Sequence, residues 1–374
     1  MRNAFITLLI ILIGLISCKK DANNSEQIKD SQSFYLGTYT DGDSEGIYKY
    51  VLHKDGELEK VGLAVITENP SFLTKSADGE FIIAVNEISN KDNVGMVSSF
   101  SIKGDSLVLI DQSSSGGAHP CFVTINPDRY ILAANYTGGN VGLLRLEDNG
   151  ELSNLLDNQQ HVGSSITDRQ QGPHAHSAWF TPDNNTVISV DLGTDALWFS
   201  TLDTLNHKLI PNEKRKLLMA PGAGPRHLVF HPSQEWIYVL NELDGTITLV
   251  VKNKDGIFEK KSSISSLPAG FKEPNTSADI HISGDGRFLY ASNRGHNSIA
   301  IFEINENNGD LRLIDHESTH GDGPRNFALS PENNYLIVAN QYSNNLVSFK
   351  RDKKTGLLTF VNAIGAPTPV CILF

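Results

Sequence analysis

A segment of about 50 residues returns six times along this chain, and that return limits the fold more than any other feature. Each copy enters an apolar strand from a Pro or Ser, crosses a polar turn, runs through a second apolar strand that closes on Asn or Asp, and continues into a third. The copies are PSFLTKSADGEFIIAVNE from Pro70, PCFVTINPDRYILAANY from Pro120, PHAHSAWFTPDNNTVISVDL from Pro173, PRHLVFHPSQEWIYVLNE from Pro225, SADIHISGDGRFLYASNR from Ser277 and PRNFALSPENNYLIVANQ from Pro324. Their closing residues, Asn86, Asn135, Asp191, Asn241, Asn293 and Asn340, lie 49, 56, 50, 52 and 47 residues apart. Strands at this period, with no helical periodicity, predict the blades of an all-β propeller.

Third strands follow each copy, as in NVGLLRL and SIAIFEI, and weaker fourth strands such as SLVLIDQ and LRLIDHE complete the units. A seventh blade is predicted from the two chain ends. SFYLGTYTDGDSEGIYKYVL, residues 33–52, supplies its second and third strands, and PTPVCILF, residues 367–374, has the form of a first strand. Pairing of the terminal strands then closes the ring and removes an exposed sheet edge. A closed array also accommodates about 340 residues, more than one compact core usually holds.

The first 17 residues, MRNAFITLLIILIGLIS, read as a signal peptide, with one Arg and an apolar run too short for a membrane span. Leu15-Ile16-Ser17-Cys18 resembles the lipobox of bacterial lipoproteins, so Cys18 is the expected lipidation site and residues 18–32 a flexible tether. The expected location is outside the cytoplasm, anchored to a membrane through Cys18. Cys121 and Cys371 sit in apolar runs and suit buried free thiols better than a disulfide. The formal charge is −12, and −13 once Arg2 leaves with the signal, which disfavours nucleic acid as a partner.

Adjacent strands in a blade run oppositely, so the entry to strand one and the exit from strand two share one face of the ring. Comparing copies shows what each blade places there. Six residues before the turn stand Ser71, Cys121, His176, Arg226, Ala278 and Arg325; just past the closing residue stand Glu87, Tyr136, Leu192, Glu242, Arg294 and Gln341, with Tyr39 in the split blade. The turns on the far face are uniformly Asp, Asn, Ser and Gly. Ionisable variety confined to one mouth of the channel marks the candidate site.

His176, Arg226, Glu242 and Arg294 form the candidate catalytic set. Arg forks bind carboxylate, phosphate or an oxyanion, a His activates water, and Glu orients a partner or carries a proton. His174, His227, His281, Asn293, Arg325 and Tyr136 are candidates for holding the substrate around them. Each has a structural alternative: Arg226 can be a simple ion pair with Glu242, the histidines can turn into blade packing, and the closing Asn residues can serve loop backbone. No GxSxG elbow and no HExxH motif occurs. His174-Ala175-His176 lacks a clear third ligand, so neither a metal nor a cofactor is expected.

GPRHLVFHPSQEWIYVLNEL, SADIHISGDGRFLYASNR, HSAWFTPDNN and GPRNFALSPENNYLIVANQ resemble the seven-bladed propeller 6-phosphogluconolactonases of bacteria, a superfamily that includes the fungal carboxy-muconate lactonising enzymes. The resemblance spans residues 33–374. In the lactonising relatives a His, two Arg and a Glu are implicated in catalysis, and the motifs map these to His176, Arg226, Arg294 and Glu242. The resemblance implies a small-molecule lactone as substrate. It supports lactone chemistry better than it supports a phosphorylated sugar, which is scarce outside the cytoplasm. Lactonisation of an unsaturated dicarboxylate and a binding propeller without turnover are the other readings.

Overall fold

The computed structural model describes residues 31–374. The predicted signal peptide, Cys18 and the tether as far as residue 30 lie outside the described residues. Seven four-stranded antiparallel sheets make up the ring. Blades one to six occupy residues 72–114, 120–160, 175–218, 225–265, 276–318 and 324–365 in chain order. The seventh takes its innermost strand, Pro369–Leu373, from the C-terminal segment and its other three, Gln32–Thr38, Gly46–Leu52 and Leu58–Ile66, from the N-terminal segment. Leu36 faces Ile372 and Gly37 faces Cys371 across that seam, the predicted closure.

Seven apolar clusters, one at each blade-to-blade junction, form the core. Between blades four and five, for example, Tyr238, Leu240 and Leu249 meet Leu289, Ala291 and Phe302. Tyrosine hydroxyls reinforce several junctions. Tyr238 donates to the Gly309 carbonyl at 2.7 Å, Tyr290 to Gly356 at 2.8 Å, and Tyr335 to Lys54 at 2.7 Å, this last across the split blade. Cys121 and Cys371 are both buried free thiols.

The uniform turns have a local cause. Ser76, Asn126, Thr181, Ser283 and Ser330 each accept, through a side-chain oxygen, the backbone N–H at the start of the second strand, at 2.8–3.1 Å. The closing Asn residues are equally structural. Asn135, Asn293 and Asn340 donate to the carbonyls of Ser115, Ser266 and Thr319 at 2.9, 2.8 and 3.0 Å, tying each blade to the segment that leads into it.

The mouth is built by a repeated irregularity. Pro225 and His227 pair with Asn241 and Leu240, leaving Arg226 without a ladder partner. The same slip isolates Cys121, His176, Arg325 and Val370, and in blade five it spans Ala278 and Asp279. A bulge of this kind re-aims the extra side chain. A left-handed residue precedes the Pro in five copies: Asn69, His119 and Thr368, with Gly224 at φ 63° and Gly323 at φ 69°. At Gly224 a Cβ would stand 2.5 Å from Leu243, so the Gly of GPR is required on both counts.

Candidate active site

Backbone bonds set the second-strand exits beside the bulges. The N–H of Glu242 donates to the Gly224 carbonyl, Glu87 to Asn69, Tyr136 to His119 and Tyr39 to Thr368, so Tyr39 does hold the equivalent place in the split blade. Side chains from blades three, four and five then converge on Glu242. Its Oε2 lies 3.0 Å from Arg226 Nε and 3.0 Å from Arg294 Nη2, and its Oε1 accepts from Arg169 Nη2 at 3.1 Å. The carboxylate is only 3% exposed. Burial alone would raise its pKa, but Arg294, Arg226, Arg169 and Arg325 outweigh that and bring it down to about 2.

His176 is buried next to this cluster, with Nε2 3.9 Å from Glu242 Oε2 and Nδ1 3.6 Å from the Cys121 sulfur. Neither nitrogen makes a short hydrogen bond, unlike a histidine held for packing. Burial, then the Arg226, His227 and Arg325 charges, push its pKa well below the usual value, so the ring is neutral at pH 7. The same burial, with Arg294 and Arg325 nearby, lowers Arg226 to about 10. The Cys121 thiol is pushed up by burial and is no thiolate nucleophile.

A second group lies across the mouth. Arg325 Nη2 donates to the Tyr39 hydroxyl at 2.8 Å, and Tyr39 donates to Glu87 Oε2 at 2.8 Å, with the guanidinium 5.3 Å from the Tyr39 ring. Four guanidiniums, Arg169, Arg226, Arg294 and Arg325, therefore face two carboxylates, Glu87 and Glu242, in a chain whose formal charge is −12. The local excess is positive and suits an anionic group or developing oxyanion. Between Arg226, Arg325, Cys121, Asn326 and Val370 about 10 Å³ remains, the room of about one water molecule.

Tyr136 and His174 form the rim. Their rings stack at 4.5 Å, and His174 Nδ1 lies 2.9 Å from the Tyr136 carbonyl. Two other predicted binding residues are elsewhere. Asn293 is fully buried, and its oxygen takes the hydroxyls of Ser266 and Ser277 at 2.8 Å while its amide donates to the Ser266 carbonyl, so it cannot bind substrate. His281 lies further along its strand toward the turn face, bound to Asp279 and edge-on to Phe327, away from the mouth. His227 is buried beneath Arg226 among Phe72, Phe122 and Trp179. It lines the small cavity without reaching the rim.

Arg169 and Asp279 were not predicted. Arg169 sits on a 3-10 turn, Asp168–Gln170, and donates to both the Tyr136 hydroxyl at 2.7 Å and Glu242. The interval of 56 residues between Asn135 and Asp191, the longest in the chain, is the signal for its loop. No group of three or more metal-ligating side chains occurs among the described residues. Wider grooves of about 460 and 700 Å³ open at the turn face, around Trp236 and Phe258 and around Arg287 and Arg312. Neither contains a residue of the mouth, where the strongly perturbed ionisable groups gather and which is therefore the candidate site.

Seven blades around a channel whose mouth gathers Glu242, three arginines and His176 make this chain a β-propeller with a candidate acid–base site. The chain belongs to the lactonase family described as "Lactonase, 7-bladed beta-propeller", which matches residues 33–374. It is 35% identical over 349 residues to the 6-phosphogluconolactonase of Bacillus subtilis, covering 91% of this chain and 97% of that protein. A 6-phosphogluconolactonase of Formosa agariphila is also 35% identical, over 335 residues, covering 87% and 94%. Among solved structures, the periplasmic gluconolactonase of Pseudomonas aeruginosa superposes with a TM-score of 0.87 at 30% identity, covering 91% of this chain and 98% of that one.

Proposed function

We propose that this chain opens a sugar lactone to its hydroxy acid at the channel mouth. The observation that carries the reading is a neutral His176, its Nδ1 3.6 Å from the Cys121 sulfur, beside an ionised Glu242 that gathers three arginines. His176 takes a proton from water as the hydroxide attacks the lactone carbonyl. Arg226 and Arg294 stabilise the oxyanion. Collapse breaks the ring C–O bond, and the imidazolium returns its proton to the departing ring oxygen. Glu242 holds the arginines in place, and Arg325 with Tyr39 receives an anionic substituent.

The test is pH-stat hydrolysis by the purified propeller of 6-phosphogluconolactone, gluconolactone and an unsaturated muconolactone, each beside an Arg226→Ala control. The expected result is turnover of a sugar lactone that needs Arg226. Consumption of the muconolactone alone would favour the lactonising reading, and a folded protein with no turnover above the spontaneous rate would leave a binding propeller. Because the His176 pKa is lowered, kcat/KM should stay flat from neutral pH down through 6.5 and fall only at more acid pH, where the ring protonates. A fall already complete at pH 6.5 would remove His176 as the base.

The lipid on Cys18 belongs to the same reading and would hold the propeller at a membrane surface outside the cytoplasm, as the lipobox-like Leu15-Ile16-Ser17-Cys18 suggests. Cys18→Ser should move the protein from the membrane to the soluble fraction of cells expressing the full chain; unchanged partitioning would count against the anchor.

A further inference from the structure

Asp279 is a buried carboxylate, 3% exposed, that makes no ion pair with an arginine or lysine among the described residues. Its Oδ1 takes His227 Nδ1 at 2.9 Å and the Ile280 N–H at 3.0 Å; its Oδ2 takes His281 Nε2 at 3.0 Å, the Asn326 amide at 2.6 Å and the Phe327 N–H at 3.4 Å. A carboxylate so engaged is ionised and can only accept. His227 must therefore present Nδ1–H to it, which leaves Nε2 as a lone pair. That lone pair faces Arg226 Nη1 at 3.2 Å.

Arg226 is thereby fixed on three sides: Nε on Glu242, and Nη1 on both His227 and the Ala278 carbonyl. Its Nη2 has no partner among the described residues, and Arg226 lines the small cavity that Arg325 also borders. We infer that Asp279, acting through the tautomer of His227, is the positioning device that turns the free amino group of Arg226 toward the reacting carbonyl. The two histidines on Asp279 are not equivalent. Burial and Arg226 hold His227 down at about 4, so it stays neutral, whereas Asp279 outweighs burial at His281 and raises it. The inference rests on the lactonase reading for its catalytic consequence, but the tautomer is a property of the resting protein.

Two variants separate positioning from packing. Blades one and two carry Phe72 and Phe122 at the place His227 holds in blade four, so the ring accommodates phenylalanine there. His227→Phe keeps the aromatic contacts and removes the acceptor; His227→Gln offers a carbonyl oxygen to Arg226 Nη1 instead. His227→Phe should lower kcat by about 10²-fold, with a much smaller change in KM, the scale of loss when a reacting group is misaimed. His227→Gln should recover to within about tenfold of the parent. Equal activity of His227→Phe and the parent, or a His227→Gln no better than His227→Phe, would overturn the inference.

The direct measurement is 15N NMR of the imidazole nitrogens in the unsubstituted protein near pH 7. The expected spectrum shows Nδ1 protonated and Nε2 bare for His227; a protonated Nε2 would refute the assignment. Absence of lactone turnover would bring down the functional reading, and the nitrogen shifts would still decide the tautomer.

Discussion

Replacing Glu242 with Gln should cost lactone turnover about 10²–10³-fold, the range for loss of oriented oxyanion donors. The same change should lower stability by about 3 kcal/mol, because it leaves buried guanidiniums without their counter-charge. Three arginines share this one carboxylate, so no single arginine substitution should match the combined loss. Denaturant unfolding beside the kinetic assay gives both numbers. Stability also carries a pH signature. The Glu242 carboxyl lies at about 2 against an ordinary 4.5, so its contribution is whole above about pH 4.5 and drains away as pH falls toward 2. Acid unfolding of Glu242→Gln should lack that component. An acid limb identical to the parent's would show that the carboxylate does not hold the cluster together.

His176→Asn should behave differently, losing about 10²–10⁴-fold in kcat while keeping its stability. The ring is neutral and makes no short hydrogen bond, so its removal strands no charge. A loss below about tenfold in a folded variant would take the general-base role away from His176. Together the pair of variants distinguishes a group that builds the site from one that uses it.

The ring was legible because its unit repeats, and each copy checks the others. Comparison between copies also found the mouth, since Arg226, His176 and Arg325 depart from the small or apolar residues at the same place in other blades. Asn293 serves the backbone as the other closing Asn residues do, a role its place in the repeat already offered. His281 lies past the bulge at Ala278 and Asp279, on the way to the turn. Asp279 escaped because it reads in SADIHI as one more polar step on a strand. Arg169 escaped because it lies on an insertion with no counterpart in other copies, and a comparison of copies is silent where only one has a residue.

The innermost strand of the seventh blade, Pro369–Leu373, reaches past the seam it closes. The Ile372 N–H donates to Asn326 Oδ1 at 2.7 Å, and the amide of that same Asn326 donates to Asp279 at 2.6 Å. A chain that stops before Pro369 lacks Val370 at the channel and the clamp on Asn326. Closing the ring and completing the pocket are thus one structural event: the strand that seals the seam also holds the residues beneath Arg226.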